Sequence, residues 1–325
     1  MKVLITGSNG LLGQKIIYAL LKLNKGEQPI GKCKWPNVEA ALTIIGTSKG
    51  ENRLIEQNGY AFESLDIAQK DQVQQVIEKY RPDVIINTAA MTNVDACETQ
   101  KEGCWAANVT AVQNLVDACQ GLKATTGIAP QLIHLSTDFI FDGAKGSAYV
   151  ETDQPNPLSY YALSKAESEK IVQASNLNWT IIRTIIVYGI VDHMSRSNIV
   201  LWAKDALTKG NAINVVDDQF RSPTLAEDLA QGCILAALKH KTGIYHVSGK
   251  DIMSVLELVQ RVGRFWKLDL SPIKPIQSAT LNQAAKRPPR TGFIIEKAMN
   301  ELGYVPHSFE EGLEVLAQQL SVNQK

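Results

Sequence analysis

The feature that most constrains this chain is a glycine-rich turn close to its start. Val3-Leu4-Ile5-Thr6 has the composition of a short buried strand, and Gly7-Ser8-Asn9-Gly10-Leu11-Leu12-Gly13 follows at once. Beyond it Ile16, Ile17, Leu20 and Leu21 recur at helical spacing, so residues 11–23 read as a helix. Glycines spaced GxxGxxG are informative only between a strand and a helix, which is where these lie. Gly7 suits the tight turn, Gly10 lets a pyrophosphate approach the backbone, and Gly13 lets the helix pack close to the strand. Free amides at the helix start then favour an anion. Gly7, Asn9, Gly10, Leu11 and Leu12 are therefore candidate dinucleotide contacts. The turn by itself leaves the reaction open.

The same alternation continues through the first half. Residues 42–45, 83–86, 131–135 and 180–182 read as strands, and 71–80, 106–118 and 161–174 as helices. Short apolar strands between helices imply a parallel sheet covered on both faces, joined by right-handed crossovers. The expected class is α/β, a doubly wound parallel Rossmann sheet. The second half is less regular. Helices are expected at 198–208, 225–238, 255–266 and 309–319, with short apolar runs at 213–216 and 244–247 and a proline-rich basic cluster at 271–290. This predicts a smaller C-terminal α/β substrate lobe. Residues 1–190 plus about 225–249 would form the dinucleotide-binding domain, and about 191–224 and 250–325 the lobe. The long polar connection at 24–41 has no role assignable from the sequence.

Composition removes several classes. Lys plus Arg equals Asp plus Glu, 33 each, so there is no basic excess of the kind nucleic-acid binders carry. No apolar stretch approaches the ~20 residues that span a bilayer. The longest, 179–191, is broken by Arg183, and the N-terminal apolar run is too short for a signal peptide. The expectation is a cytoplasmic protein with no membrane and no nucleic-acid partner. The five cysteines are odd in number and form no CxxC, so they read as reduced packing thiols. With the five histidines they supply no paired ligand spacing, and no metal is expected.

Cofactor choice is decided after the second strand, where an acidic residue would hold the ribose 2′-hydroxyl of NAD. The loop reads Gly46-Thr47-Ser48-Lys49-Gly50-Glu51-Asn52-Arg53. Ser48, Lys49 and Arg53 suit a 2′-phosphate better, which favours NADPH and leaves NADH open. A solvated basic loop is the alternative. Asp66, followed by Ile67, is a candidate for the adenine amino group and equally for a helix N-cap.

Tyr161-Ala162-Leu163-Ser164-Lys165 is YxxxK at a helix start, with the phenol and ammonium on one face. A phenol has an ordinary pKa of about 10, which a nearby ammonium lowers. Tyr161 is thereby a candidate proton donor. His134-Leu135-Ser136-Thr137-Asp138 places hydroxyls at the carboxyl end of a sheet strand, where open α/β sheets bind ligands.

These motifs, with Arg81 to Ala90, Val94 to Glu98, Asn108, Ser136 to Gly143, Pro157 to Lys165, Val187-Tyr188-Gly189, Asp218-Gln219-Phe220 and Arg287-Pro288, resemble the extended short-chain dehydrogenase/reductases. Within them the chain is most similar to the dTDP-4-dehydrorhamnose reductase family, nearly end to end. The resemblance implies that Thr137 orients a carbonyl, Tyr161 donates the proton, and Lys165 holds the nicotinamide ribose and tunes Tyr161. It implies that Ala89, Ala90 and Asn108 meet the cofactor. Thr92, Val94, Asp95 and Asp138 would line the sugar pocket, and Arg221 and Arg287 would grip the diphosphate of a nucleotide sugar. It also suggests a homodimer. Two positions depart from the family: Ile186 stands where its reductases carry a tryptophan, and Arg221 where they carry a small residue. The first helix starts Gly13-Gln14-Lys15, without the acidic metal ligand of some members. The alternatives are another sugar-nucleotide epimerase or reductase, and a non-catalytic NADP-binding subunit like the regulatory subunit of methionine adenosyltransferase. A 4,6-dehydratase would need glutamate after Asp138, where Phe139 stands.

Overall fold

The computed structural model describes residues 1–38, 40–194 and 197–322. Its centre is a parallel sheet of 7 strands. They are β1 (Lys2–Thr6), β2 (Thr43–Ser48), β3 (Ala61–Ser64), β4 (Val84–Asn87), β5 (Gln131–Thr137), β6 (Trp179–Thr184) and β7 (Gly243–His246). Their order is β7-β6-β5-β4-β1-β2-β3. Both faces are apolar, as the continuous hydrophobic runs require. Val3, Ile5, Ile44, Ile86 and Ile133 belong to one core, and Leu4, Ile45, Ile85, Leu132 and Ile181 to the other.

The helices are α1 (Leu11–Asn24), α2 (Lys70–Tyr80), α3 (Val94–Thr99), α4 (Lys101–Trp105), α5 (Ala111–Thr126), α6 (Tyr160–Ala174), α7 (Ile199–Thr208), α8 (Ala226–Leu238), α9 (Val255–Phe265) and α10 (Phe309–Val322). Helices α1 and α8 cover one face of the sheet, α2 and α5 the other. A third core gathers Ala203, Leu207, Ile213, Val259, Val262, Leu313 and Leu316. Beside it Ile213–Val216 pairs in parallel with Ile273–Ile276. No helix among the described residues is long and apolar enough to cross a membrane.

The chain leaves β1 toward β2 and β3 on one side, then crosses to β4 on the other. The crevice at the carboxyl ends of β1 and β4 is the switch point where such sheets bind ligands. Several elements escape the periodicity of the sequence, the Ile273–Ile276 strand inside the proline-rich cluster among them. Strand β3 is a half-exposed edge with mixed residues, and α3 and α4 are only one to two turns long. The 24–41 connection is anchored at its end by Asn24, which brackets Leu42 with bonds of 2.8 and 2.7 Å, and it buries Trp35.

Candidate active site

The glycine turn is dictated by backbone geometry. Gly7 has φ +67°, and a Cβ there would lie 2.8 Å from the backbone of Ala89. A Cβ on Gly13 would lie 2.4 Å from the Gly7 carbonyl oxygen. A Cβ on Gly10 would meet only that same oxygen, at 3.1 Å, and otherwise open space. Gly10 is also the α1 N-cap and offers no side-chain cap, so the first helical amides keep their donors free.

A groove of about 670 Å³ runs past this turn, walled by Gly7, Asn9, Gly10, Ser48, Lys49, Arg53, Asp66, Ile67, Ala89 and Ala90. Asn9 pins the loop after β2, donating to the Glu51 carbonyl (2.7 Å) and accepting from the Arg53 amide (2.9 Å). Lys49 pairs with Asp66 at 2.9 Å while staying largely exposed. The groove shares Gly10, Thr88 and Ala90 with a second cleft of about 520 Å³. That cleft is walled by Leu11, Leu12, Thr92, Val94, Thr137, Asp138, Tyr161 and Lys165. These residues, from six separate stretches of sequence, thus share one continuous channel.

Helix α6 starts where Ser159 caps the Ala162 amide at 3.3 Å, which sets Tyr161 and Lys165 on the cleft side. Burial pushes the Tyr161 phenol up, with the Thr137 hydroxyl opposing. The net shift runs opposite to the lowering expected from Lys165 alone. The phenol therefore keeps its proton at neutral pH. Burial pulls Lys165 down to about 8, opposed by Glu169. Beneath it lies His134, buried and held well below its usual range by burial and by Lys165. His134 Nε2 is 3.3 Å from Lys165 Nζ and 2.9 Å from Ser168 Oγ, and its Nδ1 is 3.1 Å from the Asn87 amide. Glu169 is committed to a buried pair with Arg183, at 3.0 and 2.7 Å.

The family model described as the RmlD substrate binding domain matches residues 1–322. The chain belongs to this family. Its enzymes are NAD(P)-dependent sugar-nucleotide oxidoreductases. A dTDP-4-dehydrorhamnose reductase of Aggregatibacter actinomycetemcomitans is 31% identical over 78% of this chain and 86% of its own. The spore coat polysaccharide biosynthesis protein SpsK of Bacillus subtilis is 29% identical over 98% of both chains. The crystal structure of a Bacillus anthracis dTDP-4-dehydrorhamnose reductase in complex with NADP matches with a TM-score of 0.78 at 26% identity, covering 98% of this chain and 99% of that one.

Four residues of this RmlD-family chain sit differently from the sequence expectation. Asn108 lies in a π-helical turn (Ala106–Thr110) and spends its amide on the protein. It accepts from the Met91 amide (2.8 Å) and donates to the Met91 carbonyl (3.1 Å) and Ser164 (3.0 Å), so it braces the cleft wall from behind. Asp95 and Arg287 bind each other at 2.6 and 3.1 Å. Arg221 is buried, with its donors on the carbonyls of Phe220 (2.7 Å) and Pro288 (2.6 Å) and its Nε 3.8 Å from Asp138. It is neither at the surface nor open to the channel. Of the other cleft residues, Ser136 and Ile186 stood out in the sequence without being placed in the pocket, and Leu229 did not stand out at all. Ser136 adjoins Thr137 and was within reach. Leu229 comes from α8, and nothing local announces it.

Proposed function

We propose that the protein reduces a nucleotide-linked 4-keto-6-deoxy sugar with NADPH, foremost dTDP-4-dehydrorhamnose to dTDP-L-rhamnose. The observation that carries this reading is that Thr137, Tyr161 and Lys165 share one cleft, continuous with the groove at the glycine turn. The groove fits a dinucleotide: Gly10 leaves room for a pyrophosphate against uncapped amides, and Ser48, Lys49 and Arg53 stand at its far end. When bound, the reduced cofactor supplies the hydride that the carbonyl carbon accepts.

The protein's own groups do the rest. Tyr161, protonated at neutral pH, passes its proton to the carbonyl oxygen. Thr137 hydrogen-bonds that oxygen as its charge grows. Lys165 holds the nicotinamide ribose and opposes the charge left on the phenolate. Thr92 and Val94 line the sugar side of the cleft, and Arg287, partly exposed and paired with Asp95, carries a guanidinium fork that suits a diphosphate.

The test is oxidation of NADPH, followed at the nicotinamide absorbance band, with dTDP-4-dehydrorhamnose and with NADH in parallel. Rapid oxidation with NADPH supports the reading. Binding of both cofactors without consumption on any keto-sugar nucleotide would remove it in favour of a regulatory role.

A further inference from the structure

Thr137 is the member of the proposed catalytic set whose hydroxyl is already committed. It donates to Asp138 Oδ1 (3.1 Å) and accepts from the Phe139 amide (3.2 Å). In the resting protein its one proton is therefore engaged by the carboxylate. The other carboxylate oxygen, Oδ2, accepts the hydroxyl of Thr291 and lies 3.8 Å from Arg221 Nε. Asp138, Arg221 and Thr291 are all fully buried. Neither Thr291 nor Arg221 lines the cleft, and both come from far along the chain. The Thr291 amide donates to the Phe220 carbonyl (3.0 Å), beside Arg221, while the adjoining Gly292 carbonyl accepts from the Tyr149 amide (2.8 Å). The segment that carries Thr291 is thus held between Phe220 and Tyr149.

We propose that Asp138 is a positioning residue that sets the direction of the Thr137 hydroxyl, and that Thr291 governs how firmly it does so. This rests on the reductase reading above. A carboxylate in a dry site binds every donor strongly, and donors on one oxygen weaken its demand at the other. With Thr291 and Arg221 on Oδ2, Oδ1 holds Thr137 loosely enough for its proton to turn to a substrate carbonyl. The Phe139 amide keeps the threonine oxygen in place during that turn. Without the Thr291 hydroxyl, Asp138 retains the Thr137 proton and the carbonyl goes less polarised. The chemistry at Thr137 is then set by a residue that never touches substrate or cofactor.

The experiment is a double-mutant cycle between Thr291→Val and Thr137→Val, read by steady-state kinetics with NADPH and a nucleotide-linked 4-keto-6-deoxy sugar. In the unaltered protein, Thr291→Val is expected to lower kcat about tenfold, a loss of about 1.4 kcal/mol. KM for the sugar and Kd for NADPH stay within about twofold, because the contact acts on the reacting carbonyl only. In the Thr137→Val background the same change alters residual kcat less than about twofold, since the hydroxyl it works through is gone. Thr291→Ser restores kcat. Should the valine variant not fold, Thr291→Ala carries the same comparison. Equal losses in both backgrounds, or a loss of thermal stability with kcat intact, would make Thr291 merely structural and overturn the proposal. Absence of turnover in the unaltered protein removes the reductase reading and this proposal together.

Discussion

Replacing Gly7 and Gly10 separately by alanine distinguishes what the turn needs to fold from what it needs to bind. At Gly7 the backbone has φ +67°, and the added Cβ would sit 2.8 Å from the Ala89 backbone. The left-handed conformation costs alanine about 1–2 kcal/mol, and forcing a methyl against backbone typically adds about 1–3. Ala89 lines the groove, so it cannot withdraw without deforming the site. Gly7→Ala is thus expected to lose about 3 kcal/mol of stability, or roughly 4–5 °C in Tm for a chain of this length, and NADPH affinity with it. At Gly10 the backbone has an ordinary φ of −81°, and the methyl meets one carbonyl oxygen at 3.1 Å before entering the groove. Gly10→Ala is expected to keep stability within about 1 kcal/mol while weakening NADPH by at least about tenfold, because the methyl occupies the path of the pyrophosphate. Denaturant unfolding and fluorescence titration with NADPH measure the two effects side by side. Wild-type NADPH affinity in Gly10→Ala would show that no phosphate approaches this turn. Wild-type stability in Gly7→Ala would refute the steric argument.

The other expectations concern the buried groups. Tyr161→Phe keeps NADPH binding and loses about 10²–10⁴ in kcat; unimpaired turnover would take the proton donor away from Tyr161. Lys165 is buried with its pKa lowered from 10.5 to about 8, so at pH 7 the folded protein carries an ammonium at a cost of about 3 kcal/mol. That cost shrinks as pH rises from about 8 and is gone above about 10.5. Lys165→Met should therefore be more stable than wild type by about 3 kcal/mol at pH 7, lose that advantage at high pH, and lose activity throughout. Urea unfolding at the two pH values checks it, and an equal difference at both would sink it. Arg183→Met strands the Glu169 carboxylate and should cost about 3–5 kcal/mol, most of it recovered by adding Glu169→Leu; a loss under about 1 kcal/mol in denaturant unfolding would contradict the assignment.

Local chemistry was legible in the sequence, and long-range partnership was not. The glycine turn could be read because the positive φ of Gly7 and the contact of Gly13 with Gly7 and Ser8 arise between near neighbours in the chain, whereas the close approach of Gly7 to Ala89 could not. Tyr161 and Lys165 could be read because a helix puts positions i and i+4 on one face, and Thr137 because it ends a strand of a doubly wound sheet. Arg221 and Arg287 looked alike as residue types, since a guanidinium fork suits phosphate wherever it stands. Burial separates them: Arg221 is sunk among the carbonyls of Phe220 and Pro288, whereas Arg287 is partly exposed and reaches Asp95, 192 positions away. The bracing by Asn108 was hidden for the same reason, because its partners Met91 and Ser164 come from two other stretches of chain. The direction of the Tyr161 shift was also out of reach, since a spacing rule reveals the neighbouring ammonium and not the depth of the cleft.

The depth of the cleft also decides which charges Lys165 meets. Its nearest carboxylate is Glu169, one turn along α6, yet both oxygens of Glu169 are bound by Arg183. His134, the side chain hydrogen-bonded to Lys165, stays neutral at physiological pH. In the resting protein the ammonium is therefore only partly compensated by Glu169, and burial holds its pKa low. Proton donation by Tyr161 would place a phenolate in the same dry cleft, and with it the missing negative charge. A cation poorly satisfied before the reaction and well satisfied during it stabilises the transition state more than the ground state, which is the only kind of interaction that raises kcat. A full counter-ion for Lys165 at rest would make the protein more stable and the tyrosine a worse acid.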